Sequence, residues 1–168
     1  MADRPSVNAA FSIDVSEIRK EIFYKYGRQA VKWLMEEITV ATSDSAKIAQ
    51  KEANALIKGG EGSNLAKASK VTTRMSANDV EGKVDWDDAR SAAGFPFAAA
   101  YATGRKAFGP KTAKVLRFEV DGEVVYTKWV KAFPGTKFHE KGLKAAQPKI
   151  VGRMNAGVAK WAVRMATS

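Results

Sequence analysis

Few residues of this chain could do chemistry. The 168-residue sequence has no cysteine and one histidine, His139, which excludes thiolate metal sites, a catalytic cysteine and any metal site with two imidazoles. His139 stands next to Glu140 and Lys141 and close to Lys137, a polar setting that predicts exposure to solvent and offers no catalytic partner in the sequence. A reaction based on histidine is therefore not expected.

Three acidic residues, Asp85, Asp87 and Asp88, could form a carboxylate cluster for Mg²⁺ or Ca²⁺. The spacing of a calcium-binding loop is absent, because no glycine stands in its middle and no glutamate closes it. We therefore predict a solvated acidic loop, which could also be a docking patch for a basic neighbour.

Residues 104–112 come close to a phosphate-binding loop, with two glycines at the required spacing followed by Lys-Thr. Pro110, however, separates Gly109 from Lys111, which removes a backbone N–H where the loop needs donors. A strand rather than a helix is also expected to follow. We predict a basic surface loop here, and across the whole chain we predict no enzyme, no metal site and no cofactor.

Charge is segregated along the sequence. Residues 101–168 contain 14 Lys and Arg but only four Asp and Glu, a net charge of +10, whereas residues 1–100 contain 14 of each and sum to zero. A neutral part joined to a basic part is expected of a protein that meets phosphate, or an acidic partner, on one side. The basic residues that could line such a surface are Lys128, Lys131, Lys137, Lys141, Lys144, Lys149, Arg153, Lys160 and Arg164.

Most of these basic residues recur at three- and four-residue steps, which places them on helix faces. We predict that Lys137, Lys141, Lys144, Lys149 and Arg153 contact DNA or a partner, without reading the DNA sequence because no DNA-reading motif accompanies them. The alternative is a solvated helix face without a partner.

The sequence predicts an α+β fold in a single domain, residues 1–168: a long N-terminal helix or helix pair, a small antiparallel sheet with a central hairpin, and a C-terminal helix. Residues 1–12 show no period and are predicted to be a mobile arm. A capping box at Asp14 opens a helical region over 14–58, which the cluster at 39–43 should break or bend. Its two apolar stripes are Val15, Ile18, Ile22, Tyr26, Ala30, Trp33 and Ile38, then Ala46, Ala49, Ala53, Leu56 and Ile57.

Residues 70–130 are predicted to be rich in strands, with long loops. Runs over 71–76 and 80–86 favour a hairpin turning near Asn78, and residues 97–103 a short helix. A basic C-terminal helix is expected over 137–166, in which Pro148 marks a start or a kink. The apolar stripe of this helix is Ile150, Met154, Val158, Trp161 and Met165.

The clearest structural signal is the hairpin at about 115–130, because Asp121-Gly122 is a strong two-residue turn. Pairing across this turn separates two faces. We predict that one face belongs to the core, and that the other, mixed face lies at an interface. The core face holds Leu116, Phe118, Val120, Val125 and Trp129, and the mixed face Arg117, Glu119, Val124, Tyr126 and Lys128.

Two short motifs carry a resemblance to a known family. The run from Phe95 to Gly104, Phe-Pro-Phe-Ala-Ala-Ala-Tyr-Ala-Thr-Gly, resembles a pattern in neck and tail-completion proteins of tailed phages, with Ala102 where that family has an acidic residue. After the hairpin, Pro134-Gly135-Thr136 before a terminal helix is similar to the actinobacterial-phage branch of that family. The resemblance covers residues 95–146.

The resemblance implies a structural, non-enzymatic protein of the virion, made in the host cytoplasm and located at the junction of head and tail. Its copies would form a closed, hexameric ring beside other neck, connector and tail proteins, with double-stranded DNA passing through the channel without sequence recognition. No membrane contact is implied. The residues expected to carry structural or interface roles are Phe97, Gly104, Phe118, Trp129, Pro134, Gly135 and Thr136.

Two other functions stay open at this point. The basic C-terminal part could belong to a stand-alone DNA-binding protein that ignores sequence. A small nuclease is the enzyme alternative, and it lacks the acid, base and metal-binding residues that such chemistry needs.

Overall fold

The computed structural model describes residues 6–86, 97–107, 109–111, 114–120 and 123–167. Within them the chain is α+β, as predicted: a long N-terminal helix, a small antiparallel sheet and a C-terminal helix. A single 3-10 turn covers Gly60–Gly62. In chain order the other elements are β1 (Asn8–Asp14), α1 (Ser16–Ala55), α2 (Asn64–Lys67), β2 (Lys70–Met75), β3 (Asp79–Asp85), α3 (Phe97–Thr103), β4 (Leu116–Val120), β5 (Glu123–Thr127) and α4 (Phe138–Ala166).

The predicted mobile arm is wrong for its described part, because residues 8–12 belong to β1. This strand pairs antiparallel with β3, with Asn8 opposite Asp85. Every second residue from Val7 points inward: Val7 is 1% exposed and Ala9 4% exposed, and Phe11 packs against the same core. Apolar residues that face inward at every second position are typical of a strand.

Helix α1 begins beside Asp14, whose carboxylate accepts a hydrogen bond from the Ser16 backbone N–H at 2.8 Å. Hydrogen bonds from the Ser16 side chain and backbone hold the pKa of Asp14 below its usual value. The helix changes direction at Gly27, where φ is +81° and ψ is −175°. Glycine is suited to this position because a positive φ costs it little.

The break predicted at 39–43 is wrong, because α1 runs through this segment without interruption. The Thr39 hydroxyl donates to the Met35 carbonyl oxygen at 2.7 Å, so it bonds within the helix instead of ending it. Thr42 and Ser45 are fully buried. Packing of this face against the sheet and against α4 outweighs the weak helix preference of its hydroxyl residues.

The three-stranded sheet has the order β1-β3-β2, with all pairs antiparallel. The predicted hairpin of β2 and β3 is confirmed, and it turns at residues 76–78. In β3 every second residue is buried, including Val80 and Val84 at 0% exposure. One face of the sheet therefore packs on α1, while the other is more exposed.

Helix α4 packs along α1 through small residues. A Cβ on Gly142 would lie 2.5 Å from the Ala53 Cβ, and one on Gly157 would lie 3.0 Å from the Ala41 Cβ. The predicted apolar stripe of α4 faces inward, with Ile150 buried and Met154 packed against both core clusters. The helix begins at Phe138 and continues through Pro148, so Pro148 is not its start.

The described residues form two core clusters. In the first, the rings of Trp86 and Phe138 meet edge to face at 5.1 Å, and the Trp86 Nε1 donates to the Asn54 Oδ1 at 3.1 Å. The second lies around Leu34 in α1 and Val80 in β3. No described side chain of β4 or β5 belongs to either cluster.

Candidate interaction surfaces

The two motifs that carry the resemblance lie against each other. Gly104, at the end of α3, has φ +87° and Gly135 has φ +79°. A Cβ on Gly104 would lie 2.6 Å from the Pro134 carbonyl carbon, and one on Gly135 would lie 2.5 Å from the Gly104 nitrogen. Both positions require glycine, because the backbones touch and the left-handed conformation disfavours other residues.

Hydrogen bonds fasten this crossing. Arg105 and Phe133 exchange both backbone bonds, at 2.7 and 2.8 Å. The Thr136 backbone N–H and hydroxyl both donate to the Tyr101 carbonyl oxygen, at 3.0 and 3.1 Å. Residues 104 and 133–136 thereby fix where α4 starts relative to α3.

An aromatic stack continues from the crossing into the core. The Tyr101 ring stacks on Phe133 at 5.9 Å and meets Phe138 at 5.8 Å, while its hydroxyl accepts a hydrogen bond from the Lys58 backbone N–H at 2.9 Å. Phe97 packs against the first core cluster. The predicted structural residues Phe97, Gly104, Pro134, Gly135 and Thr136 are thus brought into one junction.

Strands β4 and β5 form the predicted hairpin, with Arg117 opposite Tyr126 and Phe118 opposite Val125. Its turn, Asp121-Gly122, and the side chain of Phe118 lie outside the described residues. The predicted core face is wrong where it can be seen, because Val125 is 44% exposed and Trp129 60% exposed. A two-stranded ribbon buries a face only when another element packs against it, and the described body of this chain does not supply such an element.

Apolar residues are exposed on both faces of the hairpin. In β5, Val125 lies on one face and is 44% exposed, while on the other face Val124 is 42% exposed and Tyr126 61%. Trp129 follows the end of β5 and is 60% exposed. The Trp129 ring lies over Gly109, where a Cβ would come within 2.7 Å of its Cε3. This places the loop that resembled a phosphate-binding site beside the hairpin, and its described residues do not lead into a helix.

Three of the basic residues of α4 are ion-paired to α1. Lys149 pairs with Glu52, the Arg153 Nη2 lies 2.6 Å from the Asp44 Oδ2, and the Arg164 Nη1 lies 2.9 Å from the Glu36 Oε2. Lys149 and Arg153 were expected to face a partner. In the structure both side chains pair with carboxylates of α1, which lie about a hundred residues away in sequence.

Arg153 makes the most closely fitted of these pairs. Its Nε and Nη2 both donate to the Asp44 Oδ2, at 3.0 and 2.6 Å. The hydrogen bond from Arg153 is the main reason why the pKa of Asp44 lies below its usual value. The guanidinium of Arg164 also lies 4.7 Å from the centre of the Trp33 ring, so it is packed as well as paired.

Lys137, Lys141 and Lys144 remain exposed at the start of α4. None of the three has an ion pair within the described residues. Lys137 has φ +51°, the left-handed conformation, and its backbone N–H donates to the Ala102 carbonyl oxygen at 3.0 Å. The junction of the two motifs therefore also positions the first of these cations.

His139 is less exposed than predicted, with 14% of its side chain accessible. Burial lowers its pKa, and Glu140 partly opposes this effect. Its Nδ1 is buried without a hydrogen-bond partner in the described chain. Of the predicted acidic cluster, Asp85 pairs with Lys83 at 2.8 Å, while Asp87 and Asp88 lie outside the described residues.

Sequence reasoning missed a second exposed set, on the first half of α1. Phe23 is 50% exposed and Tyr24 86%, and Tyr26, which was assigned to the inward stripe, is 49% exposed. The signal was present in the sequence: adjacent aromatic residues cannot all face one side of a helix.

Comparisons of the chain with protein-family models, with curated proteins and with solved structures find no match. Among the described residues, no group of three or more His, Asp or Glu is placed to hold a metal ion. No helix in the described part of the chain has the length and apolar character needed to cross a membrane.

Proposed function

We propose that this chain is a structural subunit of the neck of a tailed phage, at the junction between capsid portal and tail. Its copies form a closed ring, hexameric by the family resemblance, through which DNA passes. The observation that carries the proposal is the β4–β5 hairpin, which exposes apolar side chains on both faces.

A hairpin of this kind fits a ring. One core can bury only one face of a two-stranded ribbon, whereas a ribbon between two neighbouring copies can bury both. In a closed ring each subunit offers one patch to its neighbour and receives a different one, so the contact is heterologous. Tyr126 and Trp129 are the large aromatic residues that such an interface needs at its centre.

The junction of the two motifs supports the same assignment. Residues 97–104 and 133–136 are separated in sequence, yet they cross with both glycines in contact. Their joint presence has a physical reason, since each glycine is required by the backbone of the other segment. The crossing is a structural scaffold and contains no reactive groups. It therefore supports the family resemblance and says nothing about catalysis.

A sequence-independent DNA-binding protein is the second candidate. The observation that favours it is the exposed set Lys137, Lys141 and Lys144, which could neutralise phosphates and release counterions. Lys149 and Arg153 offer little to DNA while they pair with α1. In the neck proposal the same three lysines face the channel or an acidic neighbour.

The test is to locate the chain in purified particles of the phage that encodes it, by antibody labelling and cryo-electron microscopy. We expect density for a ring of this fold between portal and tail. Absence from virions, or a position in the capsid shell or at the distal tail tip, would refute the neck assignment. Salt-sensitive binding of the purified chain to DNA, lost in Lys141→Glu/Lys144→Glu, together with absence from virions would favour the second candidate.

A further inference from the structure

An open groove lies at the bend of α1. It consists of two contiguous cavities of about 330 and 680 Å³, which share Arg19, Val31 and Ala77 in their walls. The groove runs between the two halves of α1, on either side of Gly27, and the turn from β2 to β3. None of its lining residues belongs to the hairpin or to the start of α4.

The floor of the groove is apolar and open to solvent. Met75 is 61% exposed, Val40 51% and Phe23 50%. Val31 and Met35 complete this floor. These residues come from α1 and from the end of β2, so the surface is continuous across two elements and is larger than a single exposed side chain.

The rim of the groove is cationic. Arg19, Arg28 and Lys32 line it and have no ion pair within the described residues, and Lys20 pairs only with Glu17, at 3.3 Å on the surface. The lining carboxylate, Glu36, is already paired with Arg164. A positive surface therefore exists within residues 1–100, whose formal charges sum to zero.

We propose that this groove binds an acidic, amphipathic segment of a partner protein. Its apolar side chains would cover the floor formed by Met35, Val40 and Met75, and its carboxylates would meet Arg28 and Lys32. Apolar anchors with a charged rim are how grooves take up amphipathic helices. The proposal does not depend on the neck assignment.

Other occupants fit less well. DNA would satisfy the cations but would leave the apolar floor uncovered. A membrane is flat and would not reach the floor of a groove. The hairpin of a second copy has a net charge of only −1 over residues 115–130, because Arg117 and Lys128 offset most of its three acidic residues, so it complements the cationic rim weakly.

The experiment uses the full chain and a synthetic helical peptide, in which leucine recurs every three or four residues and glutamate fills the opposite face. Binding is measured by fluorescence polarisation and located by NMR of the labelled methionine methyl groups. We expect the signals of Met35 and Met75 to shift on titration. The signal of Met154, which lies in α4 and contacts Ser45 of α1, should stay in place.

Variants then test the two chemical parts of the groove. Arg28→Glu/Lys32→Glu should weaken binding about tenfold or more, because two exposed ion pairs are replaced by repulsion. Met75→Ser should also weaken binding, because it removes an apolar side chain from the floor of the groove. The matched control Lys51→Glu/Lys67→Glu changes the same charge on exposed lysines away from the groove and should leave binding unchanged.

Several results would overturn the proposal. One is no binding of the glutamate peptide to the wild-type chain, and another is equal binding of a peptide with lysine in place of glutamate. Equal binding to Arg28→Glu/Lys32→Glu and to the control, or shifts at Met154 alone, would mean that the peptide lies elsewhere. Sedimentation with anionic lipid vesicles that is lost in Arg28→Glu/Lys32→Glu, without peptide binding, would assign the surface to a membrane instead.

Discussion

The helix pair α1–α4 and the hairpin β4–β5 differ in how far their apolar side chains are buried. Along the helix pair, glycine and alanine bring the backbones together, and aromatic residues are buried at its end. Tyr126 in β5 and Trp129, just after the end of β5, are more than half exposed. The helix pair therefore stabilises the monomer, while the apolar side chains of the hairpin gain burial only from something outside the described chain.

Charge shows the same contrast. The helix pair uses Lys149, Arg153 and Arg164 internally, against three acidic residues of α1. The lysines near the hairpin and at the start of α4 have no such partners within the described residues. Net charge counted along the sequence thus overstates the positive surface of α4 and misses the cations at the bend of α1.

The largest expected difference is between Phe138→Ala and Tyr126→Ala. Phe138 is 0% exposed and touches Trp86 and Tyr101, so its truncation should lower the free energy of unfolding by about 3–5 kcal/mol. Tyr126 is 61% exposed, and its truncation should cost less than about 1 kcal/mol. Urea denaturation of both variants measures this, and equal losses would mean that the hairpin is part of the core.

A second contrast lies within α4. Gly142→Ala places a methyl group against the Ala53 backbone, so we expect a loss of about 1–3 kcal/mol in stability. Gly152 has nothing within 4 Å of an added Cβ, and Gly152→Ala should raise stability by about 0.5–1 kcal/mol through helix propensity. Thermal unfolding of the pair gives the signs, and stabilisation by both changes would contradict the close approach of α1 and α4.

The smallest effect concerns the pair of Asp44 and Arg153, which is partly exposed. At neutral pH, Asp44→Asn and Arg153→Gln should each lower stability by about 0.5–1 kcal/mol, and the double variant by little more than either. The lowered pKa of Asp44 means that its contribution is present above the ordinary carboxyl pKa, 3.8, and is lost as pH falls through the folded value.

The check is a series of denaturation curves from pH 7 down into the acid range. The difference between wild type and Asp44→Asn should shrink below about pH 4. A difference that stays constant with pH would show that the aspartate acts through packing rather than through its charge.

Local pattern alone predicted several elements correctly. The helical stripe of Ile150 and Met154 predicted the inward face of α4, and the turn residues around Asn78 predicted the hairpin of β2 and β3. Residues 97–103 form the predicted short helix. These succeeded because hydrophobic period and turn chemistry act between residues close in sequence.

Other predictions failed where distant contacts decide. Residues 39–43 stay helical because the sheet and α4 bury Ala41 and Thr42 on their inner face, and residues 8–12 become a strand because β3 offers them an edge. Trp129 was assigned to the core because apolar alternation identifies a face but not what covers it. The partners of Arg153 and Lys149 lie about a hundred residues away in sequence, so no local pattern could reveal them.

By itself, then, the sequence determined the α+β class and most element positions, since these follow from short-range sterics and periodicity. The requirement for glycine at 104 and 135 comes from the crossing of two segments that are distant in sequence. Only the tertiary structure decided which apolar residues are buried and which charged residues are paired. Burial and ion pairing depend on which surfaces meet, and that is a property of the assembled fold. The exposed hairpin and the cationic groove at the bend of α1 are what remained unsatisfied, and both proposals rest on them.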